Sequence, residues 1–273
     1  MYDPSFFKRA NSDTKNYDIE DIIQRDKRTD KDVQIFKNFA QSLLDSEIKY
    51  SENPQKLFSH LRKQHKCSPR NSDIIHVLDV FFQEHPNYFG LRSKLVSTKT
   101  RSSSGVVVIT VVTSPYPEFN GKKQSFSCKW NCYYWPNEPG QPRSYLHDEP
   151  AVIRANVNNF DPVLQFVDRA NALRQKGHII DKIELIVLGG TWESYPNEYR
   201  VNFIRDLFFA ANTFMSLQRS KKTLEEEQII NETAASKIIG LTLETRPDTI
   251  TIDCIRNLRR LGCTRVQLGV QHT

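Results

Sequence analysis

The alternation of apolar and polar positions divides this chain into an all-helical first part and a second part in which strands and helices alternate. In the first part, apolar residues recur every three or four positions, which predicts an amphipathic helix with one buried face. That face consists of Val33, Phe36, Phe39, Ala40, Leu43 and Leu44. A second helical segment is expected from Ile74 to Phe82, ahead of the turn at His85-Pro86-Asn87.

Four apolar runs rich in β-branched residues predict the strands of the second part, at 106–112, 182–190, 237–245 and 265–271. The first run, VVVITVV, is continuous and predicts a strand that is buried on both faces. Helices are expected between the runs, over 161–177, 197–214 and 250–261, with a charged segment at 221–228. Asp161 and Pro162 are typical of a helix start, whereas Gly177 and Gly262 are typical of helix ends.

Strands that alternate with helices predict a parallel α/β sheet, in which the functional loops follow the carboxyl ends of the strands. We therefore expect a flexible tail over 1–30, a small helical region over 31–95 and an α/β core over 96–273. Glycine and polar residues cluster where the runs end, which favours a site there: Cys128 and Cys132, Gly189 and Gly190, Glu244 and Arg246, and Gln271.

The cysteine pair has a spacing with a specific chemical meaning. Cys128 and Cys132 would complete the pattern C-x3-C-x2-C if a third cysteine stood at Trp135. Radical S-adenosylmethionine enzymes hold a 4Fe-4S cluster with three cysteines at this spacing, because thiolates are the soft anionic ligands that cluster irons require. An indole cannot replace one, since its polar atom only donates. Tyr133 and Tyr134 could wall such a pocket, stack on a base or pack in the core.

Other candidate residues leave two interpretations open. Gly189 and Gly190 allow backbone to approach a ligand, or form a tight turn after a strand. Glu244 and Arg246 point to one side if the strand continues, so an ion pair between them is favoured. The remaining candidates are expected to be structural: Cys254 and Cys263 as small buried residues, and His147, Asp148 and Glu149 as a solvated loop.

Charge and composition add a candidate interface and a location. The net charge is +6, and the region before the first strand is rich in basic residues, including Lys63, Lys66, Arg92, Lys94, Lys99 and Arg101. These residues could follow nucleic-acid phosphates or could be ordinary surface cations. The five cysteines, the absence of an apolar leader and the lack of a run long enough to span a membrane predict a cytoplasmic protein with reduced thiols.

From about Lys94 onward the chain resembles the catalytic subunit of the Elongator complex and its archaeal, bacterial and viral relatives. The resemblance rests on the segments NCYYWPNEP, SYLHDEPAVIRA, GHIIDKIELIVLGGTWESYPNEYRVNFIRDL, GLTLETRPD and GCTRVQLGVQ. It implies a radical S-adenosylmethionine (β/α) barrel and acetyl-CoA-dependent carboxymethylation of the wobble uridine of tRNA at C5. It also implies cluster ligation at Cys128, Cys132 and position 135, cofactor contacts at Gly189, Gly190, Glu244 and Gln271, and tRNA contacts from the basic region.

Three departures from the family pattern shape the expected function. The family's upstream Pro-Cys-Pro-His segment is replaced by Ser-Pro-Tyr-Pro-Glu at 114–118, and the last cluster cysteine is Trp135. The run at 265–271 is the last one, so we expect a partial barrel completed by a second chain or a further C-terminal segment. We therefore expect impaired turnover; the alternative is a non-catalytic tRNA- or partner-binding remnant. The sequence identifies no catalytic residue.

Overall fold

The structure is a computed structural model that describes residues 29–46, 54–96, 103–130, 132, 135–215 and 219–270. It divides into two compact units. The first contains Met1–Ser103 and Asn171–Ile179, and the second contains Ser104–Ala170 and Ile180–Thr273. None of the helices in the described ranges is both long enough and apolar enough to cross a membrane.

The described part of the first unit contains helices α1 (Asp30–Asp45), α2 (Pro54–His65), α3 (Asn71–Phe81) and α4 (Tyr88–Leu95). Thr29 and Asp32 form a capping box that begins α1, because each side chain accepts the other's backbone N–H. Phe39 and Leu43 of α1 pack in a core with Ile74 and Leu78 of α3, and all four are fully buried. The apolar face predicted for α1 therefore lies in this core.

The described part of the second unit alternates strands with helices. Its strands are β1 (Val107–Val112), β2 (Glu118–Phe119), β3 (Lys122–Lys123), β4 (Lys182–Leu188), β5 (Lys237–Thr245) and β6 (Arg265–Leu268). Its helices are α5 (Pro150–Val157), α6 (Pro162–Gln175), which continues into the first unit, α7 (Asn197–Phe214), α8 (Leu224–Asn231) and α9 (Ile252–Arg260). Short 3-10 helices occur at Trp192–Ser194 and Pro247–Thr249.

Strands β1, β4, β5 and β6 form one parallel sheet in that order, and β2 and β3 form a separate hairpin. The predicted parallel α/β sheet is confirmed. Its closure into a partial barrel stays a prediction. The last strand ends at Leu268, earlier than predicted, and Gln271 lies outside the described residues.

The two faces of this sheet differ in polarity. Val107, Ile109 and Val111 are at most 3% exposed, whereas Val108 between them is 41% exposed. The prediction that β1 is buried on both faces is therefore wrong, because alternate residues of a strand point to opposite faces and β1 is an edge strand whose second face is only partly covered. Further along that second face, the Arg265 guanidinium lies 2.5 Å from the Glu184 carboxylate.

Helix boundaries in the second unit follow local capping chemistry. The Asp161 carboxylate accepts the Val163 and Leu164 N–H groups at 2.9 and 3.0 Å, so it caps α6 as predicted. Gly177 and Gly262 end α6 and α9 with φ values of 90° and 85°, as their positions in the sequence predicted. In the charged segment at 221–228, for which no helix was predicted, residues 224–228 form the first part of α8.

A hydrogen-bond network around a buried ion pair joins α7 and α8. The Glu227 carboxylate is fully buried and accepts two hydrogen bonds from Arg219, at 2.6 and 2.5 Å. The Asn212 amide donates a further bond to it at 2.8 Å. The Asn231 side chain donates to the Asn212 side chain at 2.7 Å, and its amide oxygen accepts the Ile238 N–H of β5 at 2.8 Å. This network therefore ties both helices to the start of β5.

Replacing Arg219 with methionine should lower the free energy of unfolding by about 3 kcal/mol or more, because it leaves the Glu227 charge buried without its partner. Urea titration monitored by circular dichroism measures the change. The matched control is Arg260→Met, which removes a solvent-exposed pair with Glu225 and should cost less than about 1 kcal/mol. Equal losses in the two variants would contradict the importance of the buried pair.

The same network predicts a pH dependence. Burial raises the pKa of Glu227, but hydrogen bonds from Arg219, the Lys222 backbone and Asn212 outweigh it, so the net shift is downward. A lowered pKa stabilises the folded state above the ordinary glutamate range, and this contribution disappears as pH falls through the folded-state pKa. Between about pH 5 and pH 3, the wild type should lose more stability than Glu227→Gln, which has no proton to take up there. Urea titrations at several pH values test this.

Candidate cofactor-binding site at the strand ends

The candidate site lies where the parallel strands of the second unit end. Strands β1, β4 and β5 run side by side in the same direction, with Val112 paired to Leu188 and Val187 paired to Leu243. The segments that follow these strands therefore leave the same edge of the sheet. The Gln165 side chain secures the end of β1, because its amide exchanges two hydrogen bonds with the Val112 backbone at 2.8 and 2.9 Å.

The structure brings the two cysteines to the loops that follow β4 and β5. The Cys128 thiol lies 3.7 Å from the Thr191 hydroxyl, which follows the glycine pair after β4. The Cys132 sulfur lies 3.5 Å from the Arg246 guanidinium, directly after β5. The cysteine segment and two strand ends thus meet, as the positions of these residues in the sequence predicted.

Arg246 holds this arrangement with several contacts. Its guanidinium forms two hydrogen bonds with the Asp248 carboxylate at 2.9 and 3.0 Å and stacks on Trp130, 4.6 Å from the ring centroid. The Asp248 carboxylate raises the pKa of Arg246, which therefore stays charged. The expected ion pair between Arg246 and Glu244 does not form. The reason is that β5 ends at Thr245, after which the backbone turns and directs Arg246 towards Asp248.

Glu244 instead contacts a tyrosine that sequence reasoning missed. The Tyr145 hydroxyl lies 3.4 Å from the Glu244 carboxylate and donates a hydrogen bond to it. Burial raises the pKa of Glu244, and burial together with the Glu244 charge raises the pKa of Tyr145. No sequence pattern marked Tyr145, because it lies in a loop without periodicity and its partner is distant along the chain.

The two glycines are packed against protein side chains. A Cβ atom at Gly189 would lie 1.8 Å from the Thr113 hydroxyl, and one at Gly190 would lie 2.5 Å from the Phe126 ring. The Gly190 N–H also donates to the Tyr195 hydroxyl at 3.3 Å. Close packing therefore explains why both positions are glycine. It favours the tight turn after β4 among the two interpretations that the sequence left open.

An aromatic cluster packs against the glycine loop. Tyr195 stacks on Tyr199 with 5.3 Å between ring centroids and packs on Phe126 at 4.3 Å. The Tyr199 hydroxyl accepts the Ser114 N–H at 2.8 Å, which anchors the segment after β1. Burial raises the pKa of Tyr195 to about 12, so its hydroxyl stays protonated and can donate to Thr113, 2.7 Å away.

The donor atoms at this site do not fit a 4Fe-4S cluster held by three thiolates. Cys128 and Cys132 supply two sulfur atoms, and Trp135 occupies the third position of the motif with 39% of its surface exposed. Across the described residues, no group of three or more histidine, cysteine, aspartate or glutamate side chains could hold a metal ion. A cluster at this position would therefore need a ligand from outside the described donor set.

The remaining candidates of the second unit make local contacts. The His147 ring lies 2.7 Å from Glu138, and Glu149 accepts the Leu146 N–H at 3.0 Å, so the acidic and histidine side chains of this loop diverge. The Cys263 thiol, which is buried, donates to the Arg265 carbonyl at 3.1 Å. Tyr133 and Tyr134 lie outside the described residues.

The basic candidates of the first unit fall into two groups. Lys63 and Lys66, at the end of α2, and Lys94, in α4, are exposed. Arg92 instead forms an ion pair with Asp79 at 2.8 Å and donates to the Gly177 carbonyl at 3.1 Å, so its guanidinium has a structural role. Lys99 and Arg101 lie outside the described residues.

Comparison with known proteins identifies relatives of this chain. A tRNA uridine(34) acetyltransferase from Methanocaldococcus infernus is 41% identical over 176 residues, which are 63% of this chain and 30% of the relative. Elongator complex protein 3 from Drosophila melanogaster is 33% identical over 254 residues, or 89% of this chain and 43% of the relative. The human Elongator complex protein 3 is 34% identical over 211 residues, which are 75% of this chain and 36% of the relative.

Two further comparisons complete this picture. A solved structure of archaeal Methanocaldococcus infernus Elp3 with an N-terminal deletion matches with a TM-score of 0.44 and 35% identity, over 61% of this chain and 29% of that chain. No family model matches. The chain spans less than half the length of the curated relatives named above. The resemblance predicted from the motifs is nevertheless confirmed, and this chain is a relative of tRNA uridine(34) acetyltransferase and Elongator complex protein 3.

Proposed function

We propose that this chain carries the cofactor- and tRNA-binding core of a protein that modifies the wobble uridine of tRNA. The names of its relatives support this class of reaction. The observation that carries the proposal is the meeting of the family's motif segments at one edge of the sheet: the cysteine segment lies against Thr191 and Arg246, and Glu244 lies against Tyr145.

The proposed cofactor is S-adenosylmethionine, with acetyl-CoA as co-substrate. The half-buried Glu244 carboxylate can accept hydrogen bonds from the ammonium group or ribose hydroxyls of the cofactor. Gly189, Gly190 and Gln271 are the proposed neighbouring contacts. Bound to a cluster, this cofactor supplies radical chemistry, whereas the protein binds and orients it.

We infer that turnover is impaired in this chain. Two thiols and an indole do not make the three-thiolate donor set. We therefore propose only that the chain's own residues bind the cofactor and tRNA. The same observation favours a second candidate, a non-catalytic tRNA- or partner-binding protein of this family. A second chain or a further C-terminal segment that completes the barrel, and a cytoplasmic location, stay proposals.

The first test is anaerobic reconstitution with iron and sulfide of three proteins: the wild type, Trp135→Cys and Trp135→Ser. We expect only Trp135→Cys to bind close to four irons and four sulfides per chain. We also expect only its reduced electron paramagnetic resonance signal to change when S-adenosylmethionine is added. The serine variant removes the indole without adding a thiol, so it separates the effect of ligation from that of side-chain size.

One outcome would overturn the proposed impairment, and a second would change its cause from the missing thiolate to the bulk of the indole. A cofactor-responsive cluster in the wild type would show that another ligand replaces the third thiolate. A cluster in Trp135→Ser would show that the indole only blocked access. If no variant binds iron but all bind S-adenosylmethionine in equilibrium dialysis, the binding-protein candidate is favoured.

The second test concerns tRNA. Lys66 adopts a left-handed conformation with φ 50°, so we replace it with asparagine, which tolerates this backbone, and combine this with Lys63→Gln. If both lysines contact phosphates, tRNA binding should weaken and the slope of log K against log salt should fall by about 2. Filter binding at several salt concentrations measures both quantities.

The matched control removes two exposed charges from the second unit, Lys221→Gln with Lys222→Gln. We expect a smaller change in affinity and an unchanged salt slope for this control. If both double variants lose the same affinity, overall charge alone explains binding and the assignment of the α2 lysines is wrong.

A further inference from the structure

One carboxylate connects the loops that follow β4 and β5. Glu193 lies in the 3-10 helix Trp192–Ser194, directly after the glycine loop. Its Oε2 atom accepts a hydrogen bond from the hydroxyl of Thr245, the last residue of β5. Its Oε1 atom accepts a hydrogen bond from the thiol of Cys254, in the first turn of α9, at 3.3 Å. Three chain segments therefore meet at one side chain.

These contacts reach the residues proposed to bind the cofactor. Thr245 lies between Glu244 and Arg246 in the sequence, so its hydrogen bond to Glu193 fixes the backbone next to both residues. The hydroxyl of Thr249 lies 2.9 Å from that of Thr245 and 2.7 Å from the Arg246 carbonyl, and it is 3.4 Å from the Glu193 carboxylate. The loop that carries Arg246 is thereby fixed at both of its ends.

The chemistry of this cluster requires a carboxylate. An ionised carboxylate accepts several hydrogen bonds and has no proton to donate, so it suits a position surrounded by hydroxyl and thiol donors. Glutamine has the same shape but would present an NH2 group to one of these donors. Burial lowers the pKa of nearby Arg200, and the negative charge of Glu193 opposes that shift, so Arg200 is a positive neighbour for the carboxylate.

We propose that Glu193 is a positioning residue that holds the Glu244–Arg246 segment next to the glycine loop. S-adenosylmethionine would then contact both segments in the positions that they already occupy. The proposal rests on the proposed function, because it assumes that this cofactor binds at the strand ends. Glu193 acts through Thr245 and makes no contact with the cofactor itself.

The test is a double-mutant cycle with Glu193→Gln and Thr245→Val, read out as the dissociation constant for S-adenosylmethionine in equilibrium dialysis. Each single variant should weaken binding about tenfold, the scale of one hydrogen bond to a charged group. The double variant should also bind S-adenosylmethionine only about tenfold more weakly than the wild type, because both changes break the same contact. Additive, roughly hundredfold weakening would overturn the proposal. Glu198→Gln is the control, because it makes the same change in an exposed carboxylate of α7 that accepts the Asn120 N–H at 3.3 Å, and it should bind normally.

A chemical readout tests the contact independently of the cofactor. Burial, together with the hydrogen bond to Glu193 and its charge, raises the pKa of Cys254 to about 11. Glu193→Gln should therefore shift the pH profile of Cys254 alkylation by iodoacetamide to lower pH, measured on the peptide by mass spectrometry. The profile in Glu198→Gln should match the wild type. An unchanged profile in Glu193→Gln would show that the contact does not form in solution.

The two proposals fail in different ways. If wild-type protein does not bind S-adenosylmethionine, the proposed function is wrong for this ligand. Hydrogen–deuterium exchange of the peptide over 246–252 then decides the role of Glu193. Faster exchange in Glu193→Gln than in Glu198→Gln supports positioning of this loop, whereas equal exchange overturns it.

Discussion

The parallel pairing of β1, β4 and β5 is the constraint on which the rest of this site depends. Because the strands run in one direction and in register, the segments that leave them emerge at a single edge. Residues that are far apart in the chain, such as Cys132 and Arg246, meet there. The buried Gln165 side chain completes the edge by satisfying backbone groups of Val112 that have no strand partner on that side.

Packing beneath this edge explains why glycines occupy it. Thr113, Phe126 and Tyr195 fill the space where side chains at Gly189 and Gly190 would lie. The same aromatic cluster holds Ser114 at the end of the first strand. The glycine loop, the segment before the cysteines and the start of α7 therefore behave as one packed unit, and a substitution at either glycine would disturb all three.

Two polar clusters lie at the edge of the sheet where the strands end. Trp130, Arg246 and Asp248 form a cation–π and ion-pair cluster beside the cysteine loop. Glu244 and Tyr145 form a second polar pair at the same edge. All of these side chains are present in this chain, whereas the C-x3-C-x2-C spacing has Trp135 in place of its third cysteine.

Features that arise from local chemistry could be predicted from the amino-acid sequence. Apolar runs predicted all four strands of the sheet, and Asp161, Gly177 and Gly262 marked helix boundaries, because caps and periodicity involve residues close in the chain. The motifs also identified the family. Tertiary structure alone decided the partners of Glu244 and Arg246, and the exposed face of β1. It also placed Tyr145 and Glu193, because their contacts join residues 99 and 52 positions apart. Such contacts depend on how strands and loops pack in space, which no local pattern encodes.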